Sequence, residues 1–450
     1  GISSLYFTSI PPIQNYAMIG ALGVAVIYVV VFHLAPPLLV RFDRGPWPSS
    51  KTVLSVTDKI AFRIAQFSMR RAGWVAAGMG LVVILAVPLV LKVTPESDLF
   101  QFFPDSHPLT ISTRLTEEKL SGVIGLEVVF EASERDTFKR AAVLSRLKDF
   151  QDWLEKQPEV GRTLSMMDLV EEMNWAFHGE DEAHRRLPAT DRALAQLLLI
   201  YDGRDLQELV DREYRQTRIV MNLNVHGAVA IGKVIDRIRN ELTQRELEPL
   251  TWDVAGWGRL FAEQNDLLLS GQLKSFFFAF VSIFLLLSLA FRSFRGGLIA
   301  LIPNLAPIFF IFAVMGYTGM HLDMATVLIA GELLGITVDD TIHLYHGYQA
   351  RLAQGLSHTW AVARSFEASG RAVLAIFVLL TAQFLLLTGS QFQPTVDFGL
   401  MSATGLIAGQ FFELVLLPAL LVLWYRHHQN KLRRQWEARH PRLAARRSRR

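Results

Sequence analysis

The stretch MATVLIAGELLGITVDDTIHLYH (residues 324–346) decides how this chain folds. It is long enough for a helix that crosses a bilayer, which takes about 20 predominantly apolar residues. Four ionisable side chains nevertheless interrupt it, Glu332, Asp339, Asp340 and His343. Ionisable residues inside the hydrocarbon region are costly and mark functional positions. The stretch therefore predicts a functional helix inside a membrane-spanning bundle.

Long apolar runs occur along the rest of the chain as well. Of the 450 residues, 51% are hydrophobic and 19% are charged. Because backbone amides inside a bilayer must be paired within the segment, such runs predict transmembrane helices. We expect seven spans, at residues 17–40, 74–91, 273–291, 298–317, 324–347, 372–388 and 398–425. The fold class is therefore a polytopic α-helical membrane protein.

A more polar stretch, residues 93–272, separates the second and third expected spans. It holds 32 acidic and 21 basic residues, whereas the rest of the chain holds 10 acidic and 24 basic ones. Cytoplasmic loops are enriched in Lys and Arg, and the basic clusters at 41–44, 70–71, 292–295, 351–371 and the tail share one side if the spans alternate. We therefore expect residues 93–272 to form an extracytoplasmic domain on a protein of the inner (plasma) membrane.

The flanking segments have their own signals. Residues 46–73 form a cytoplasmic linker whose apolar residues recur at helical spacing, as in a helix that lies on a membrane surface. The tail, 426–450, carries ten Lys and Arg residues and is expected to contact anionic lipid rather than nucleic acid. No Walker-type loop occurs, and no metal site or cofactor is expected.

The first and last expected spans resemble each other. Pro12 and Pro36 are spaced like Pro394 and Pro418, at a constant offset of 382 residues. Such repeats are common in transporters, with the site at the repeat interface. Residues 1–45 are then the last span of a first pseudo-repeat, residues 74–92 and the five-helix bundle at 273–425 belong to the second, and the N-terminal half is an expected partner. Similar composition of unrelated apolar helices is the alternative explanation.

The acids of the fifth span share a face. At about 100° per residue, Glu332, Asp339 and His343 fall within about 60° of arc, and Asp340 extends it to about 120°. These four residues are our candidates for a proton relay. The alternative is that Asp340 or His343 satisfies a neighbouring polar group or points into headgroups.

Further polar and small residues are candidates for the surroundings of the relay. Gly331 and Gly335 form a Gly-x-x-x-Gly pair that would allow another helix to approach closely. Asn304, Gln383 and Glu413 could line the same polar interior, although each could equally make a helix-packing hydrogen bond.

The string Leu333-Leu-Gly-Ile-Thr-Val-Asp-Asp-Thr-Ile-His-Leu344 resembles the signature of the resistance-nodulation-division (RND) superfamily, in its hydrophobe-exporter (MMPL-like) and Patched-like branches. The last span, with Pro394, Gly399 and LLPALL at 416–421, is similar to the closing helix of that family. The resemblance implies that Asp339 is the relay acid. Asp340 stands where the commonest bacterial form has Tyr.

The resemblance also implies an external porter domain of ferredoxin-like α+β subdomains. Strands are predicted at residues 125–131, 217–225 and 251–255, and helices at 137–156 and 231–245. Proton-driven export of hydrophobic or lipid-like substrates, without enzymatic chemistry, is the implied function. Membrane lipids and a hydrophobic substrate are then partners, and a homo-oligomer is an option. A non-pumping lipid or sterol sensor and a protein-translocation accessory are the alternatives.

Overall fold

The computed structural model of the protein describes residues 2–8, 10–42, 51–201, 203–245, 247–323 and 325–439. The chain divides into two compact units, Glu96–Asp266 and the remainder, Gly1–Pro95 with Leu267–Arg450. Parts of the predicted linker (46–50) and tail (440–450), and Met324 at the start of the fifth expected span, lie outside the described residues.

Helices make up most of the described chain. They are α1 (Pro11–Phe42), α2 (Lys51–Arg70), α3 (Ala72–Val90), α4 (Pro108–Lys119), α5 (Ala141–Glu155), α6 (Met166–Phe177), α7 (Asp191–Ile200), α8 (Arg204–Leu209), α9 (Ala228–Gln244), α10 (Trp257–Ala290), α11 (Phe294–Thr318), α12 (Ile329–Ala353), α13 (His358–Leu386) and α14 (Gln393–Arg439). The strands are β1 (Ile124–Glu131), β2 (Val160–Ser165), β3 (Gln216–Leu223) and β4 (Thr251–Ala255).

The unit Glu96–Asp266 is a ferredoxin-like α+β domain. Its antiparallel sheet has the strand order β2-β3-β1-β4, and α5 and α9 connect strands in a β-α-β-β-α-β sequence. Side chains alternate along β1 between buried and partly exposed positions, so one face of the strand covers the core. Phe130, Leu144 and Ile231 are fully buried there. The predicted α+β architecture is confirmed, and β2 is the one strand that we did not predict.

The other unit contains the apolar helices. Within the part of the chain that the structure describes, five helices are long and apolar enough to span a membrane, at Ile13–Phe42, Ala72–Val90, Trp257–Ala290, Phe294–Thr318 and Gln393–His427. They correspond to five of the seven expected spans, so the polytopic helical fold class is confirmed. The apolar part of α13, Val373–Gly389, is shorter, and α12 carries the ionisable residues that lower its hydropathy. These two spans stay predictions.

The bundle has a continuous apolar core that α2 shares. Leu287, Leu301, Leu334, Phe366 and Leu417 are each at most 1% exposed, and they come from five different helices. From α2, Ala65 and Met69 join the same cluster, and the Ser68 hydroxyl donates a hydrogen bond to the carbonyl of Val415 in α14. The predicted linker helix is therefore held against the bundle by specific contacts.

The two stretches of the predicted repeat lie in α1 and α14. α1 begins at Pro11 and α14 begins at Gln393, so their first residues are separated by the same 382 positions as the matched prolines. Pro36 and Pro418 then lie at the same place within their helices. Unlike α14, α1 exposes most of its apolar side chains.

Candidate functional site

The centre of the bundle is a contact between two parallel helix faces. Residues 333, 337 and 341 of α12 lie four apart, as do residues 405, 409 and 413 of α14, so each set occupies one helix face. A Cβ added to Gly405 would collide with the side chains of Ile311 and Leu333. One added to Gly409 would lie 2.9 Å from Cγ2 of Thr337. The two helices approach closely because α14 has only hydrogen atoms at these positions.

The next pair in the same register is polar. Thr341, which is fully buried, donates a hydrogen bond of 2.8 Å from Oγ1 to Oε1 of Glu413. Asn304 of α11 donates from Nδ2 to Thr341 Oγ1 at 3.0 Å and to the carbonyl of Ala300 at 2.7 Å. Asn304 and Glu413 are 1% and 2% exposed. The hydroxyl of Thr341 therefore connects an amide and a carboxyl group within a water-poor interior.

Glu413 is more central than the sequence suggested. The sequence does not distinguish Glu413 from a residue that only packs between helices. A single acid in an apolar helix does not indicate which residue of another helix will contact it. The Gly405-x-x-x-Gly409-x-x-x-Glu413 spacing was a usable signal, since small residues mark close helix contacts. Gln410, one turn away, is a buried polar residue that the sequence analysis did not single out. Both polar atoms of its amide are buried and have no hydrogen-bond partner among the described residues.

Asp339 and His343 occupy a different environment from Glu413. Their side chains are each 64% exposed, and Asp339 Oδ1 lies 3.7 Å from His343 Nε2. The described helices therefore leave Asp339 largely open to its surroundings. Asp340 is half-buried, and the two aspartates directly precede Thr341, the hydrogen-bond partner of Glu413. Asp339, Asp340 and Glu413 therefore form one cluster of carboxyl groups around Thr341, with Asp339 at its exposed side.

Glu332 lies apart from this cluster and lines a cavity of about 470 Å³. Gly331, Gly335, Tyr16, Ser4 and Ser275 also line the cavity. A Cβ added to Gly331 would meet no described atom within 4 Å, so no described helix approaches closely there, and the close contact expected at this position stays a prediction. The two small residues widen a cavity beside Glu332, and the close contact of the bundle is made by the glycines of α14.

The sequence also placed Gln383 in the polar interior, and no metal site was expected. Gln383 is exposed on α13, so the described helices do not bury it with Asn304 and Glu413, and its place in the lining stays a prediction. Thr381, two residues earlier on the same helix, is buried. Within the described ranges, no group of three or more His, Cys, Asp or Glu side chains could hold a metal ion.

Comparisons with known proteins agree with this architecture. A protein of Methanocaldococcus jannaschii that is described as a membrane protein is 20% identical over 388 residues, covering 83% of this chain and 96% of that protein. Among solved structures, the hedgehog release protein Disp from the water bear Hypsibius dujardini aligns with a TM-score of 0.61 at 15% identity. That alignment covers 94% of this chain, which spans 57% of the length of Disp.

A second solved structure is SecDF in its super-membrane-facing form, with a TM-score of 0.49 at 14% identity, covering 96% of this chain and 48% of that one. The MMPL family model matches residues 148–450, which is more than half of the chain and includes α12 and α14. This match confirms the resemblance to the RND superfamily that the α12 sequence indicated. The chain belongs to the MMPL family.

Proposed function

We propose that this chain is the C-terminal half of an exporter that uses the proton-motive force to move hydrophobic or lipid-like compounds across or out of the inner membrane. The observation that supports it best is the buried hydrogen bond between Thr341 and Glu413, beside Asp339 and Asp340. Burying a carboxyl group without a cationic partner is costly. A protein that transfers protons through a membrane has a use for such a group.

Protonation would act on the packing of α12 against α14. Three neighbouring carboxyl groups cannot all be ionised without strong mutual repulsion, so they share protons and titrate as a coupled set. Adding a proton from outside removes that repulsion and allows closer contact, whereas losing it to the cytoplasm restores the repulsion. Such an equilibrium between two packings, biased by protonation, is enough to drive a transport cycle.

The complete transporter would also contain an N-terminal half. Asp339 and His343 are 64% exposed, and α1 carries apolar side chains such as Ile27, which is 63% exposed. A second pseudo-symmetric half would cover both and place the carboxyl cluster at the interface of the two. A homo-oligomer is the other way to cover them. The acidic domain Glu96–Asp266 would then be extracytoplasmic and capture cargo.

The second candidate function is a lipid or sterol sensor that does not pump, and the third is an accessory of protein translocation. A sensor needs a lipid-accessible cavity, which this protein has beside Glu332. It has less need of a cluster of three carboxyl groups around a buried threonine. The cluster therefore favours the pump.

Inside-out membrane vesicles from cells that produce the protein provide the test. Respiration acidifies the vesicle lumen, and a pH-sensitive dye reports the gradient. Adding a membrane-partitioning fluorescent compound should dissipate part of the gradient and carry the compound into the lumen. A protonophore should stop its accumulation. Saturable binding of the compound with no effect of the gradient would instead favour the sensor.

A further inference from the structure

A large groove lies on the surface of the bundle, between α2, α3, α11 and α14. Its volume is about 1180 Å³, and its lining is almost entirely apolar. Met79, Ala408 and Phe412 form the floor, where α3 packs against α14. Phe67 and Phe411 stand at the rim and are 56% and 55% exposed. This groove contains none of the carboxyl groups of the proposed relay.

The groove is about as long as one leaflet of a bilayer. It extends along α3 from Trp74 to Val82, which at 1.5 Å per residue is about 12 Å. The hydrocarbon core of a bilayer is about 30 Å thick, so one leaflet contributes about 15 Å. The groove could therefore accommodate most of the length of one acyl chain that enters at Trp74.

Two described cationic side chains lie near the groove, Arg63 on α2 and Arg71 between α2 and α3. Arg63 lines the groove and is exposed, and no described carboxyl group forms a salt bridge with it. Arg71 stacks over the ring of Phe67, with its guanidinium carbon 5.7 Å from the ring centroid. Basic pockets between transmembrane helices on the cytoplasmic side bind anionic headgroups. The charges and the apolar groove thus match the two ends of one molecule.

We propose that this groove binds one anionic phospholipid of the cytoplasmic leaflet, with its acyl chain along α3 and its phosphate at Arg63. The bound lipid would fill the space between α2 and α14, which the hydrogen bond from Ser68 to Val415 already connects. The site goes beyond the proposed transport function, because it would exist whether or not the protein pumps.

Trp74 is a built-in reporter of acyl-chain binding. It is 83% exposed at the entrance of the groove, and bromine atoms on a lipid chain quench tryptophan fluorescence on contact. The purified full chain is reconstituted in phosphatidylcholine vesicles that contain a small fraction of brominated phosphatidylglycerol. Subtracting the quenching of Trp74→Phe isolates the signal of Trp74 from that of the other eight tryptophans.

Two neighbouring glycines of α3 provide a matched pair for the groove. A Cβ added to Gly78 or to Gly80 would meet no described atom within 4 Å, so neither substitution should disturb the fold. Of the two, only Gly78 lines the groove. We expect Gly78→Leu to remove the saturable quenching and Gly80→Leu to leave it unchanged. Equal effects of the two variants would overturn acyl-chain binding in this groove.

The headgroup preference is tested with Arg63→Gln. The control is Arg295→Gln, at the start of α11 and outside the groove lining. Brominated phosphatidylglycerol should bind about five-fold more tightly than phosphatidylcholine with the same brominated chain, as expected for one basic side chain. Arg63→Gln should abolish this preference, and Arg295→Gln should keep it. Equal quenching by both lipids in the unmodified protein would refute headgroup recognition. Gradient-driven transport is measured separately, and its failure would not affect this result.

Discussion

Thr341 Oγ1 donates a hydrogen bond of 2.8 Å to Glu413 Oε1, although the two residues are 72 positions apart in the sequence. Both side chains are at most 2% exposed, so the hydrogen bond is shielded from bulk water. The geometry makes Glu413 as strong a candidate for the proton relay as the aspartates of α12.

Replacing Glu413 by Gln should abolish proton-coupled transport while the protein still inserts and folds. The amide oxygen of Gln can still accept the hydrogen bond from Thr341, but the side chain can no longer titrate. Stability should be unchanged or higher, because a neutral amide avoids most of the cost of burying a carboxyl group. Proton release from inside-out vesicles on addition of a hydrophobic compound measures the coupling.

Asp397→Asn is the control for that measurement. Asp397 is on the same helix as Glu413, but its carboxyl group is hydrogen-bonded at 2.9 Å to Gln393 Nε2 in the first turn. This variant should retain at least half of the parental coupling. If Glu413→Gln retained as much, Glu413 would be a packing residue and not part of the relay.

Replacing Thr341 by Val should destabilise the protein by about 1–3 kcal/mol, because it leaves buried polar atoms without a partner. Valine has nearly the same shape as threonine, so the loss reports the hydroxyl group. Thr318→Val is the control, since that hydroxyl is exposed and bonds only to carbonyls of its own helix; we expect a change within about 0.5 kcal/mol. Thermal unfolding in detergent, read by circular dichroism, compares the two. Equal shifts would contradict a network role for Thr341.

Asp339→Asn and Asp340→Asn should both weaken proton coupling, and the effects should not be additive. The two acids are adjacent to each other and directly precede Thr341, the hydrogen-bond partner of Glu413, so we expect them to titrate as one coupled set. The coupling is measured for each single variant and for the double variant, with and without an imposed pH gradient. If the double variant transports at the parental rate and still requires the gradient, Glu413 or Glu332 carries the proton instead.

The domain Glu96–Asp266 should be accessible from outside the cell. The native chain has no cysteine, so introduced thiols can be labelled without background. Ser133→Cys, at an exposed position of this domain, should react with an impermeant thiol reagent in intact cells. Ser357→Cys, at an exposed position before α13, should react only after the cells are opened. The reverse pattern would invert the topology that the charge distribution predicts.

The salt bridge between Glu159 and Arg237 should make the domain Glu96–Asp266 sensitive to acid. Hydrogen bonds from Arg237, at 2.9 Å, lower the pKa of the Glu159 carboxyl group below its ordinary value, although partial burial opposes this. A lowered pKa stabilises the folded state above the ordinary value of about 4.3, and that contribution is lost as pH falls through the lower folded value. Glu159→Gln should therefore lower the unfolding temperature at pH 7 and have less effect at pH 3.

Glu213→Gln is the control for the acid response. Glu213 pairs with Arg135 at 2.7 Å, but the two side chains are 43% and 73% exposed. Such surface pairs contribute little to stability, so this variant should follow the parent protein at both pH values. A difference between Glu159→Gln and the parent that stays constant from pH 7 to pH 3 would show that titration of Glu159 is not its cause.

The sequence by itself was sufficient for the class of fold and for one acidic helix. Apolar runs predict spans because the bilayer requires them, whatever neighbours the helix has. The strands β1, β3 and β4 were also predicted, with ends within two residues of those observed. The β2 strand was missed because Gly161 lies at an irregularity in its pairing with β3, and its sequence, VGRTLS, does not alternate regularly. The local pattern of α12 was enough to single out Asp339 and Asp340.

Only the tertiary structure decided which polar residues meet. The register that places Thr341 against Glu413 depends on Gly405 and Gly409, which allow α12 and α14 to approach. It also depends on Asn304, which reaches Thr341 from a third helix. The period of a helix fixes which residues share a face, but the sequence of one helix does not specify which face of another will cover it. That choice is made by packing among all the helices at once, where shape and hydrogen bonding must be satisfied together.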